Sequence, residues 1–125
     1  MSVKYTEDHE WIRLDEDGLA TVGITNYAQQ QLGDLVFVEL PELDRDVAQG
    51  EETVVIESVK AAGEVKAPVA GTVVKVNEAL NDEPNLVNTD PAGDGWFMRL
   101  RLADPNELDG LMDDDAYQAM VDDLG

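Results

Sequence analysis

Glu52-Thr53-Val54-Val55-Ile56-Glu57-Ser58-Val59-Lys60-Ala61-Ala62-Gly63-Glu64-Val65-Lys66-Ala67-Pro68 is the stretch that decides the fold. Its first eight residues are rich in β-branched side chains, the composition of a strand. A lysine and the small residues Ala61-Ala62-Gly63 follow, and Glu64 to Ala67 resumes the extended pattern until Pro68 breaks it. Two strands joined over so few residues make a tight hairpin with Lys60 at its tip. A lysine there projects its amine into solvent with little steric cover. Rigid strands hold such an anchor still and leave its side chain free, which suits a lysine that another enzyme must enclose and amidate. An ordinary turn lysine would occupy the same position, so geometry alone leaves both readings open.

The same strand-and-turn grammar extends in both directions. Glu10-Trp11-Ile12-Arg13-Leu14 alternates, turns at Asp15-Glu16-Asp17-Gly18, and returns as Leu19-Ala20-Thr21-Val22-Gly23-Ile24. Thr25 is a suitable helix N-cap and Gly33 a suitable C′ residue, predicting a short helix over Asn26 to Leu32. Asp34 to Leu40 is β-branched and aromatic with apolar residues on both faces, and is expected to be a central, buried strand. Pro41 to Gly50 is turn-rich. Gly71 to Asn77 and Gly95 to Leu102 are further strands, the latter lining the core with one face. From Asp113 to Leu124, the residues Ala116, Tyr117, Met120, Val121 and Leu124 recur at helical spacing, and Asp113, Asp114 and Asp115 complement the helix dipole. That terminal helix is expected to dock on the sheets. No linker divides residues 1–125, so one domain with one core is expected, a mostly β sandwich or flattened barrel with helices as accessories.

Charge excludes several functions. Twenty-eight acidic residues face eight basic ones, for a formal net charge of −20. Nucleic-acid binding needs clustered Lys and Arg, and anionic membranes would repel this chain. No apolar run approaches the roughly 18 residues of a membrane helix. The amino terminus has neither a signal core nor an Arg-rich amphipathic stretch, so a cytoplasmic protein is expected. The acidic surface suits a salt-loving source, because at molar salt the Debye length shrinks to about 3 Å and self-repulsion is screened. With no cysteine and the single histidine His9, neither a thiolate nor a histidine metal cluster is expected. No acidic loop has calcium-site spacing, and no G-x-S-x-G turn supports hydrolysis.

Glu57-Ser58-Val59-Lys60-Ala61, followed by Ala67-Pro68-Val69-Ala70-Gly71-Thr72-Val73-Val74-Lys75-Val76-Asn77, resembles the lipoyl-attachment hairpin of the glycine cleavage system H protein family. His9-Glu10-Trp11, Ala20 to Thr25, Leu32 to Pro41, Leu86-Val87-Asn88 and Gly95-Trp96 also look like that family, in order and without a large gap. The resemblance implies a barrel-sandwich hybrid of the lipoyl and biotinyl carrier type. It implies lipoic acid in amide linkage to Lys60; biotin is disfavoured because Val59 and Ala61, rather than methionines, flank the lysine. Lys66 repeats the Val-Lys-Ala triplet but lacks the preceding Glu-Ser and reads as a strand lysine.

What the resemblance implies for function is carriage without catalysis. Glycine decarboxylase, a pyridoxal phosphate enzyme, loads an aminomethyl group on the arm. An aminomethyltransferase passes the one-carbon unit to tetrahydrofolate, and dihydrolipoamide dehydrogenase reoxidises the dithiol. The loaded arm carries a labile ammonium, so a water-excluding cleft with a carboxylate is required. Glu10 matches the family's glutamate for that purpose. Gln31 stands where a histidine often contributes, and its amide donates a hydrogen bond without charge. Glu57, three before the lysine, and Gly71 match positions read by lipoyl-attaching enzymes; Gly71 also reads as a turn residue needing positive φ. His9 reads as a structural histidine, and Trp11 and Trp96 as core aromatics. A monomer is expected. A lipoate-relay protein and an unmodified interaction module are the competing readings.

Overall fold

A computed structural model of the chain describes residues 3–124. Among these residues nine strands and four helices run in the order β1 (Val3–Tyr5), β2 (Glu10–Leu14), β3 (Leu19–Ile24), α1 (Asn26–Leu32), β4 (Leu35–Glu39), β5 (Asp46–Val47), β6 (Glu52–Ser58), β7 (Ala62–Lys66), β8 (Gly71–Val76), α2 (Ala79–Asp82), α3 (Leu86–Thr89), β9 (Met98–Leu102) and α4 (Asp114–Leu124), with a 3₁₀ turn over Pro105–Gly110. All pairings between strands are antiparallel. One sheet has the order β1-β2-β3-β9-β8-β5, the other β4-β6-β7. The architecture is the expected flattened sandwich, open rather than a closed barrel.

Alternation builds the core, which has two lobes. Ile12, Ala20, Val22, Val73, Met98 and Leu100 fill one beneath the large sheet. Ile24, Leu35, Val38, Val54, Ile56, Val65 and Phe97 fill the other beneath the small sheet. Burying such side chains stabilises by about 1.5–3 kcal/mol each, so the strands are fixed by what their inward faces exclude from water. Both caps of α1 form as the sequence predicts: Thr25 Oγ1 accepts from Ala28 N, and Gly33 N donates to Gln29 O at 3.0 Å. Helix α4 begins one residue later than expected, because Asp113 caps it by accepting from Ala116 N at 2.8 Å. It docks on β1 chiefly through the buried Tyr117; Ala116 and Leu124 remain exposed.

Two expectations are corrected. Asp34 to Leu40 is not a central buried strand. β4 lies at the edge of the small sheet, and a bulge between Leu35 and Phe37 leaves Val36 56% and Phe37 44% exposed. Composition identifies a strand but not its number of neighbours, which is set by the rest of the chain. The second concerns Gly71, whose φ is not positive. It is a glycine within β8 because a Cβ there would stand 2.6 Å from the Arg101 carbonyl oxygen. The short strands β1 and β5, three and two residues long, carry too little pattern to be read beforehand.

Candidate functional site

Lys60 occupies the turn between β6 and β7, exposed as expected. Ser58 organises this turn. Its amide donates to Ala61 O at 2.7 Å, and its hydroxyl oxygen accepts from Lys60 N at 3.2 Å and Ala61 N at 3.0 Å. The turn is also tied to the α1–β4 connection, where Val59 N donates to Asp34 O at 3.0 Å. The Lys60 stem lies over Gly33, whose missing Cβ leaves the space that the lysine methylenes occupy. Asn88, on α3, braces that connection: its Nδ2 donates to Gly33 O at 2.8 Å and its Oδ1 accepts from Leu35 N at 2.9 Å. Among the described residues Lys60 forms no ion pair. The backbone beneath the amine is fixed, and the amine is accessible.

A cleft of about 230 Å³ lies along the β7 side of this hairpin, lined by residues including Glu10, His9, Tyr27, Gln31, Gly63 and Glu64. Glu10, only 3% exposed, accepts from Thr6 Oγ1 at 2.9 Å and from Lys66 N at 3.0 Å. Burial pushes its carboxyl above the ordinary range, against the downward pull of those two donors. A carboxylate held this way gains from a cation brought into the cleft. Gln31 lines the same cleft from the exposed side of α1. Glu10 and Gln31, far apart in sequence, are thus brought to one cavity.

His9 also lines the cleft, in the left-handed backbone region at φ 69°. Its ring packs on Tyr27 at 4.6 Å, and its Nδ1 lies 2.8 Å from the Tyr117 hydroxyl, which is 2.6 Å from Thr25 Oγ1. Burial lowers the His9 pKa, and Asp8 opposes that effect. It is a half-buried structural histidine that anchors α4 beside the cleft.

Two acids were missed in the sequence, Asp8 and Glu64, which are also among the residues around the cleft. Alternation around the buried Val65 places Glu64 on the outward face of β7, but the cleft behind it depends on α1 and β2. Glu57 is exposed on β6, paired with Phe37 and with Ala62. Lys66 closes β7, with its amine 3.9 Å from Asp8 in an exposed pair. Gly71 lies in the large sheet against Leu100 and Arg101. Trp11 is buried and donates to Pro91 O at 3.0 Å, and Trp96 is half-buried. A larger cavity of about 420 Å³ lies under α4 between Tyr5, Trp11 and Tyr117; none of Lys60, Glu10 and Gln31 lines it.

The chain is similar to known proteins along nearly its whole length. The family model described as Glycine cleavage H-protein matches residues 3–124. A glycine cleavage system H protein of Rhodospirillum rubrum is 58% identical over 120 residues, covering 96% of this chain and 95% of the relative. Another, from Halorhodospira halophila, is 57% identical over 123 residues, covering 98% and 95%. The crystal structure of a glycine cleavage system H protein from Mycobacterium marinum superposes with a TM-score of 0.87 at 37% identity, covering 97% of each chain. The chain belongs to the glycine cleavage H-protein family.

Proposed function

We propose that this chain is the lipoylated carrier of the glycine cleavage system. On this reading Lys60 Nζ bears lipoate in amide linkage, and the arm takes the aminomethyl group of glycine from the decarboxylase to the aminomethyltransferase before dihydrolipoamide dehydrogenase restores the disulfide. The chain's role is carriage, with no catalytic step of its own. The observation that carries the reading is an exposed lysine amine on a braced hairpin, beside a cleft that holds a buried carboxylate.

The residues fit the group. The amine is open to an acylating enzyme: an amide forms as Nζ gives up a proton and the activating group leaves the acyl carbon. Lipoate supplies a strained disulfide that accepts electrons and a nucleophile and is regenerated by thiol–disulfide exchange. Glu10 holds a cationic amine by a charge-assisted hydrogen bond inside the cleft. Glu64 and Asp8 add negative potential at the rim, and Gln31 donates from the open side. Ser58, Gly33 and Asn88 keep the anchor in one place, so the arm's reach is set by its own length rather than by a moving loop.

Intact mass of the protein made in its own host tests this reading. One lipoyl increment is expected, absent in Lys60→Arg and present in Lys66→Arg. An increment that maps to Lys66 overturns it.

A further inference from the structure

The outer face of the small sheet carries apolar side chains at positions where a solvated edge ordinarily carries charge. Val36 is 56%, Phe37 44%, Val55 36% and Val59 67% exposed. The strand register gathers them: Phe37 pairs with Glu57, Glu39 pairs with Val55, and Val59 directly precedes Lys60. Apolar groups and carboxylates therefore alternate over one surface that begins at the lysine. Glu39, Glu57 and Asp34 are all exposed, and neither β4 nor β6 contains a basic residue. The bulge at Leu35/Phe37 turns Val36 and Phe37 outward, away from the core that β4 otherwise faces.

We propose that this face is the docking surface for the enzyme that acylates Lys60, and that its partner presents an apolar centre ringed by Lys and Arg. The inference rests on Lys60 being the lipoyl anchor. An enzyme acting on Nζ must bring its active site to the amine and so presses on the surface around the hairpin. Enzymes acting on the distal sulfurs engage the far end of the arm, which on this reading rests in the cleft on the β7 side, across the small sheet from the β4 edge. Charge complementarity defines the occupant: the carboxylates steer and orient a basic rim, and the apolar residues supply the desolvated centre. A small apolar and acidic patch of this kind favours a brief encounter, as a modifying enzyme requires.

The test uses unmodified chain, a purified lipoyl-attaching enzyme, lipoate and ATP. It compares wild type, the double variant Val36→Ser/Phe37→Ser, and Leu124→Ser as a control exposed on α4. Two quantities are read: kcat/KM for appearance of the lipoyl mass increment, and the Kd of the non-covalent complex by calorimetry without ATP. The double variant is expected to lose about tenfold or more in kcat/KM with a matching weakening of Kd, while Leu124→Ser stays at wild-type values. Wild-type affinity falls with added NaCl, less steeply in Glu39→Gln. Wild-type kcat/KM and Kd in a folded double variant overturn the docking surface and leave the carrier reading intact. If circular dichroism shows the double variant unfolded, Phe37→Gln alone decides by the same criterion. No increment on wild type overturns both readings.

Discussion

The stem of Lys60 lies against the backbone of Gly33: a Cβ added at Gly33 would stand 3.0 Å from Lys60 Cε. Gly33 has φ 80° and ψ −167°, a region in which essentially only glycine is stable. One residue thus ends α1, lets β4 begin, and leaves room for the lysine. Gly33→Ala is expected to cost about 1–3 kcal/mol of stability and to displace the Lys60 side chain. Urea unfolding measures the first effect, and the rate of enzymatic acylation the second. Unchanged unfolding would show that the backbone relaxes elsewhere.

Glu10 gives a pH dependence with a definite sign. Its carboxyl is raised above the ordinary value in the folded state. A raised acid contributes stability below its unfolded pKa, and that contribution is lost as pH rises through the folded one. Glu10→Gln is therefore expected to gain stability relative to wild type from the ordinary carboxylate range upward. Urea midpoints of both proteins at stepped pH test this. A variant that loses ground with rising pH would mean that the Thr6 and Lys66 donors outweigh burial.

The β2–β3 turn behaves in the opposite sense. Burial pushes Asp15 up, but hydrogen bonds from Thr21, Arg13 and Arg99 outweigh it and hold the carboxyl below its usual value. Arg13 Nε stands 2.8 Å and Arg99 Nη2 3.0 Å from it. A lowered acid contributes stability above its unfolded pKa that is lost as pH falls through the folded one. Asp15→Asn is expected to cost about 1–3 kcal/mol near neutrality, a difference that shrinks in acid. Thermal midpoints at neutral and acid pH give the comparison.

Tyr117→Phe removes the hydroxyl shared by His9 Nδ1 and the buried Thr25 Oγ1. A loss of about 1–3 kcal/mol is expected. Faster amide exchange should follow in α4 and in the turn carrying His9 and Glu10. Exchange confined to α4 would show that the helix end does not brace the cleft.

The net charge of −20 on 125 residues predicts that stability rises with salt. Thermal midpoints should climb between dilute and molar NaCl. A flat or falling midpoint would mean that the acidic surface costs the fold little and would remove the argument for a high-salt setting.

Local chemistry was legible from the sequence. The β-branched run of Glu52 to Ser58, the Thr25 and Gly33 caps of α1, and the turn at Lys60 each depend on local composition or on one residue's conformational preference. Those cues operate within a few residues of one another, so they survive being read in one dimension. They place the lysine on its hairpin tip. Tertiary structure alone decided that β4 is an edge strand, that Gly71 is a glycine to clear the Arg101 carbonyl, and that Asp8 and Glu64 join Glu10 and Gln31 at one cleft. Each of those facts requires segments distant in sequence to meet, and which neighbours a strand gains is settled by the packing of the whole core, which no local pattern encodes.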